Sequence, residues 1–381
     1  MGGRLRRLQP RHRRNPLSGP VHQLSAAADR SRRRRAGRPR IHRLRRPGRR
    51  ADAAARRPHR PGAGEFRDAG PGGARPVSRI GALAPADFAR RLRAGAVLAV
   101  PPFAVRVQSR LGALHRSMHG LYGEFDLLGN AEAPDFVIRV DGTGGWRRLL
   151  RRQSMAYIDT PPPYVPLPER MAPLMFEQAL NWCVATRTFT HLILHAAVVA
   201  REGRALLIPG QSGQGKSTLC AALVTRGWRH VSDEFALLDP RSLEITAHPR
   251  PISLKNQSLD VIAGWAPEVQ LSEAHHGTPK GTVGYVRPTR AAVDAAPAPV
   301  RPAAILFPRF DAEGEAGLAP FGTAAAFIAL TACSVNYREF GQAGFVALSR
   351  LVGELPVMSA TYPDTATAVG LAERALAGTA R

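Results

Sequence analysis

Ala205-Leu-Leu-Ile-Pro-Gly210-Gln-Ser-Gly-Gln-Gly215-Lys216-Ser217-Thr218 joins an apolar run to a glycine-rich turn and then to a helical pattern. Gly210, Gly215, Lys216 and Ser217 fill the pattern G-x-x-x-x-G-K-[ST] completely. Such a loop can wrap its backbone N–H groups around a phosphate. The expected cradle is Gly210, Gln211, Ser212, Gly213, Gln214 and Gly215, followed by Lys216, Ser217 and Thr218. The helix opening at Lys216 adds the positive end of its dipole. Lys216 is placed to reach the β- and γ-phosphates and the Ser217 hydroxyl to ligate Mg²⁺, so the expected cofactors are ATP and Mg²⁺.

Working outward, His191-Leu-Ile-Leu-His-Ala-Ala-Val-Val-Ala and Arg204-Ala-Leu-Leu-Ile-Pro read as a hairpin turned at Arg201-Glu-Gly203. After the loop, Lys216 to Thr225 reads as a helix stopped by Gly227. His230 to Leu238 then reads as a strand that carries Asp233 and Glu234, 16 residues beyond Ser217. A carboxylate at that distance can emerge at a strand end beside the phosphates. Asp233 is the candidate to hold Mg²⁺ together with Ser217, and either acid can take a proton from an attacking hydroxyl. His195 lies in an apolar run, where a lone histidine is ordinarily a satisfied core residue.

Only Lys216, Lys255 and Lys280 are lysines, against 51 arginines. A chain so biased keeps lysine where a compact ammonium is wanted. Lys255 and Lys280 are therefore candidates to touch phosphate or a second substrate, with ordinary surface lysine as the alternative.

Towards the N-terminus, Pro85 to Leu92 and Ser109 to Phe125 read as helices. Phe103 to Ser109, Phe136 to Val140 and Met155 to Asp159 read as strands, and Thr160-Pro-Pro-Pro as a break. Pro168 to Thr186 is a strong helix with proline at its start. Towards the C-terminus the pattern gives strands at Glu244 to Ala247, Ala303 to Phe307 and Pro356 to Thr361. Helices are expected at Thr323 to Cys333, Gln342 to Glu354 and Thr365 to Leu376. Alternating strands and helices make the fold class α/β. The expected division is a small α/β domain over 78–188 and a P-loop domain over 189–381, preceded by an Arg-rich tail over 1–77.

The formal net charge is +25, of which residues 1–76 carry +19 from 23 arginines and four acids. The remaining +6 leaves a mildly basic body, so nucleic acid is not the expected partner. The tail has Phe66 as its one aromatic residue and no apolar period, so it is expected to be disordered. The same mixture of Arg, Pro, Ala and Gly arises when GC-rich sequence upstream of a start is read as protein, with translation then starting near Val77. Intact-mass measurement of natively expressed chain distinguishes the two. No apolar run reaches the ~18 residues of a membrane span. Cys183, Cys220 and Cys333 lie far apart, which suits a reducing compartment; the expected location is the cytoplasm, with no membrane partner and homo-oligomerisation left open.

In order, His195-Ala-Ala-Val-Val, Gly210-Gln-Ser-Gly-Gln-Gly-Lys-Ser and Arg226-Gly-Trp-Arg-His-Val-Ser-Asp-Glu resemble the catalytic domain of HPr kinase/phosphorylase. The resemblance is greatest to its offshoot, the HprK-related kinase A family, found beside a small PqqD-like protein. It is good over 190–310 and loose over 78–380. It implies a P-loop kinase-like catalytic domain and an ATP-dependent, serine-directed phosphotransferase acting on a hydroxyl of a small protein. It also implies catalytic roles for His195, Asp233 and Glu234. Glu234 stands where the family has a second Asp, which leaves open which acid is the base. The family's C-terminal signature and N-terminal domain are not found, so HPr as substrate and phosphorylase activity do not carry over. A small-molecule kinase and a nucleotide-gated regulator without phosphoryl transfer are the alternative readings.

Overall fold

Phe103-Ala-Val-Arg-Val-Gln-Ser turns Val105, Val107 and Ser109 inward and leaves Arg106 and Gln108 half-exposed, the two-residue period of a pleated strand. Phe136, Ile138 and Val140 are buried in the same alternation with Val137 and Arg139. These segments lie in a computed structural model that describes residues 76–144, 152–159, 164–211 and 213–378. The Arg-rich tail up to residue 75, the break at Thr160–Pro163 and the loop residue Ser212 lie outside the described residues.

The first sheet contains β1 (Pro76–Arg79), β2 (Ala96–Val100), β3 (Phe103–Ser109), β4 (Asp126–Leu128), β5 (Phe136–Gly142), β6 (Gln153–Tyr157) and β7 (Leu167–Pro168). Among the described residues its order is β1-β4-β2-β3-β5-β6-β7, with β3 and β5 parallel and the other pairs antiparallel. Helices α1 (Pro85–Ala94), α2 (Gly112–Leu121) and α3 (Ala172–Arg187) share its core. Helix α3 is buried on almost every side, including Leu174, Met175, Phe176, Leu180 and Trp182, as expected of a helix apolar all round. Each such side chain contributes roughly 1.5–3 kcal/mol. The same core takes in Ile193, Phe235, Leu237 and Tyr285 from farther along the chain.

The second half runs through β8 (Leu192–Leu194), β9 (Ala196–Arg201), β10 (Arg204–Pro209), α4 (Lys216–Val224), β11 (Arg229–Ser232), β12 (Ala236–Leu238), β13 (Ile245–Thr246), β14 (Ile252–Lys255) and α5 (Gln257–Trp265). It continues through β15 (His275–Thr278), β16 (Gly281–Val286), α6 (Arg290–Asp294), β17 (Arg301–Phe310), β18 (Gly317–Pro320), α7 (Thr323–Cys333), α8 (Tyr337–Glu354), β19 (Val357–Tyr362) and α9 (Thr365–Ala377). The largest sheet here has the order β11-β9-β10-β17-β19-β18, with β10, β17 and β19 parallel. Successive residues of β9 and β10 alternate between two cores. Ala197, Val199, Leu206 and Ile208 face α4 and α9, whereas Val198, Ala205 and Leu207 face α7 and α8. Burial on both faces explains the unbroken apolar runs in the sequence.

Two expected strands are in fact four. The run 191–200 breaks at His195, and β8 joins β12 and β13 while β9 joins the large sheet. The run 230–238 breaks at Asp233-Glu234-Phe235, with β11 pairing β9 and β12 pairing β8. Two antiparallel segments therefore pass together from one sheet to another, and His195 and the acid pair occupy the crossing. Backbone contacts fix the bend: the His195 N–H donates to the Cys333 carbonyl at 2.8 Å and the Val335 N–H to the Ile193 carbonyl at 2.9 Å. The two halves are also tied together by Arg290, which reaches Asp126 at 2.9 Å, and by His248, which bonds the Pro101 carbonyl.

Candidate functional site

Strand β10 ends at Pro209, and Gly210 to Gly215 turn the chain into α4. Gly213 and Gly215 have φ of +94° and +86°, a conformation in which a side chain is strained. A Cβ on Gly215 would also lie 3.0 Å from the Tyr362 hydroxyl at the end of β19. Within the loop, the Gln211 N–H donates to Oε1 of Gln214 at 2.7 Å. Gly215 is the N-cap of α4, with no side-chain cap and no acid in the first turn. The first N–H groups of the helix are thus left for another acceptor.

Lys216 is 5 % exposed. Its Nζ donates to the Gln211 carbonyl at 2.9 Å and lies 3.3 Å from Nε2 of His195. The other ring nitrogen, Nδ1, is 3.0 Å from the Glu234 carbonyl. A carbonyl can only accept, so Nδ1 carries the proton and Nε2 presents its lone pair to the Lys216 ammonium. Burial pushes the His195 pKa down to about 4, against the pull of Glu234; the ring is neutral near pH 7. His195 thus links the loop lysine to the backbone of the acid pair.

Asp233 and Glu234 are neighbours with different environments. Asp233 is 5 % exposed, with Oδ2 accepting from the Ser253 N–H at 3.2 Å and Oδ1 without a partner among the described residues. Burial, then the charge of Glu234, raises it to about 6, while the neighbouring Ser217 hydroxyl favours its charged form. Glu234 is half-buried. Burial would raise it, but His195, Lys255, Lys280 and Lys216 together hold it at about 2. Its side chain comes within 3.9 Å of His195.

The Ser217 hydroxyl and the orphaned Asp233 oxygen are hard donors suited to Mg²⁺, which takes one or two protein oxygens and completes its shell from phosphate and water. The residues present therefore fit that ion. Among the described residues no cluster of three or more His, Cys, Asp or Glu side chains offers an all-protein metal site. Of the residues expected in the loop, Thr218 is turned aside, its hydroxyl donating to Ser258 of α5 at 2.7 Å. Ser253, Tyr362, Glu177 and Arg250 were not singled out in the sequence and carry no motif that would have found them.

Beside the acid pair lies a cavity of about 400 Å³. Asp233, Glu234, Lys255 and Lys280 line one side and Leu174, Glu177 and Asn181 of α3 another. Glu177 accepts from the Tyr122 hydroxyl at 2.6 Å and pairs with Arg250 at 3.4 Å, and Arg250 also donates to Asn181.

Fold and site together define an α/β protein in which a glycine-rich loop, a buried lysine and a pair of acids, one buried and one half-buried, meet at strand ends. A family model described as "SynChlorMet cassette protein ScmC" matches residues 167–259. That stretch runs from β7 through the loop and the acid pair into α5. No curated protein matches the chain. No helix among the described residues is long and apolar enough to cross a membrane.

Proposed function

We propose that the protein is an ATP-dependent phosphotransferase of the HPr kinase-related, P-loop kinase-like type, transferring the γ-phosphoryl group to a hydroxyl with Mg²⁺. The observation that carries this reading is the meeting of Lys216, Ser217, Asp233 and Glu234 at the carboxyl ends of β10 and β11, where open α/β sheets bind ligands. The similarity over 167–259 covers these four residues.

In this reading the loop N–H groups and Lys216 hold the phosphates, the lysine exchanging the Gln211 carbonyl and His195 for phosphate oxygens. Ser217 and Asp233 hold Mg²⁺, which when bound neutralises charge on the transferring group. Glu234, which faces the cavity, takes the acceptor's proton. His195 positions it through the bond to its backbone carbonyl. Transfer of this kind depends on positioning and charge more than on a strong base, so the low Glu234 pKa is compatible with the role.

The test is transfer of γ-labelled phosphate from ATP in the presence of lysate, alongside Lys216→Ala. The variant is expected to weaken nucleotide binding at least ~100-fold, about 2.7 kcal/mol, and to abolish labelling. Unchanged binding would remove the reading. Tight ATP binding with no labelled acceptor in any fraction would replace it with a nucleotide-gated regulator.

A further inference from the structure

Among the described residues, the cavity beside Glu234 takes none of the loop 210–218 in its lining and shares Asp233 and Glu234 with the site beside that loop. It adjoins the phosphate site without being part of it, as a pocket for a second ligand should. Its volume lies within the range of small-molecule sites, roughly 300–1,000 Å³. Leu174, Val283, Tyr285 and Val335 give it an apolar body. The polar groups are unevenly provided for. Glu177 and Arg250 satisfy one another, with Tyr122 and Asn181. Lys255 and Lys280 have no ion-pair partner within 4.0 Å among the described residues, Glu234 included. Lys255 ends β14 and Lys280 sits at the turn between β15 and β16, so two adjoining elements bring separate ammonium groups to one mouth. These are two of the chain's three lysines, and the third holds the phosphate loop.

We infer that this cavity is the acceptor pocket, and that the acceptor is a small hydroxy acid with an apolar body. Its carboxylate sits between Lys255 and Lys280 and its hydroxyl faces Glu234. The inference rests on the phosphotransferase reading. In transfer, the acceptor oxygen forms a bond to the γ-phosphorus of the nucleoside triphosphate as the bond to the β–γ bridging oxygen breaks. That oxygen leaves on the diphosphate with the electron pair, and the hydroxyl proton passes to the Glu234 carboxylate.

The experiment is calorimetric titration of the full chain with 3-phenyllactate, its neutral amide and its deoxy analogue 3-phenylpropionate. Both acids are expected to bind, and the amide at least tenfold more weakly. Lys255→Gln and Lys280→Gln should each weaken acid binding about three- to tenfold, and the double variant should bind acid and amide alike. ATP affinity should stay within twofold in all three variants. Equal binding of acid and amide by the unaltered chain, binding of none of the three probes, or double-variant losses confined to ATP would each overturn the inference. Lys216→Ala separates the two ideas: it removes nucleotide binding and leaves phenylpropionate binding in place.

Discussion

Two walls of one cavity carry carboxylates, and the protein provides for them in opposite ways. On the α3 wall Glu177 is buried, raised by burial and held by Tyr122 and Arg250, with Asn181 accepting from a second guanidinium nitrogen. Both oxygens of that carboxylate have a partner from the chain itself. On the other wall Asp233 keeps a buried oxygen with no partner among the described residues, and Glu234 has lysines around it that do not close onto it. Leaving a buried polar atom unpaired costs about 1–3 kcal/mol, which a fold tolerates where a ligand completes the set. The first wall is architecture and the second is a site.

Asp233→Asn breaks this contrast most sharply. Transfer should fall on the order of 1,000-fold, about 4 kcal/mol of barrier, because the hard ligand opposite Ser217 is lost. The melting temperature should hold or rise, since a buried carboxylate with an unpaired oxygen among the described residues is replaced by a neutral amide of the same shape. A variant that lost activity and stability together would make Asp233 part of the scaffold.

Arg250→Met tests the other wall. It strands Glu177 as an uncompensated buried acid, and the expected loss is about 3–5 kcal/mol of stability. Adding Glu177→Gln should recover part of that loss, because the two residues act as one unit. Denaturant titration of the single and double variants measures it; a double variant no more stable than Arg250→Met would mean that the pair is not coupled.

The same contrast explains what the sequence made legible. The phosphate loop lies in nine consecutive residues, and its glycines are required by backbone shape, so its position and its strand-to-helix setting were readable. The acid pair followed at one helix's distance. The breaks at His195 and Asp233 were not readable, because apolar β-forming residues continue on both sides and the change of sheet depends on Cys333 and Ser334, far along the chain. Strand β14 is too short to show a period, and Asn256 before helix α5 makes no side-chain cap, its Oδ1 accepting instead from the Thr282 N–H. Glu177 and Arg250 lie 73 residues apart, in segments that read separately as apolar helix and loop. The sequence pointed to Lys255 and Lys280 only through the rarity of lysine; the fold brings both to one cavity.

The smallest effect concerns His230, which is absent from the cavity lining, and His248, which contributes to it; each is 1 % exposed. Burial depresses both to about 3, against about 6.5 in an unfolded chain. Between those values the unfolded chain binds more protons, so their contribution to stability is complete above pH 6.5 and declines as the pH falls below it. Each group contributes a slope of at most about 1.4 kcal/mol per pH unit. His195, at about 4, acts in the same direction. Asp233 opposes them: its folded pKa is raised, so the folded state binds more protons between about 6 and 3.8. Neither ring nitrogen of His230 has a hydrogen-bond partner among the described residues, so His230→Phe removes a titrating group without breaking a bond seen there. Denaturant titrations at pH 7, 6 and 5 should show stability falling with pH in the parent chain. The His230→Phe curve should be flatter by up to about 1.4 kcal/mol per unit below pH 6.5. Parallel curves would mean that His230 is hydrated in solution and that the burial shared by both halves of the molecule does not reach it.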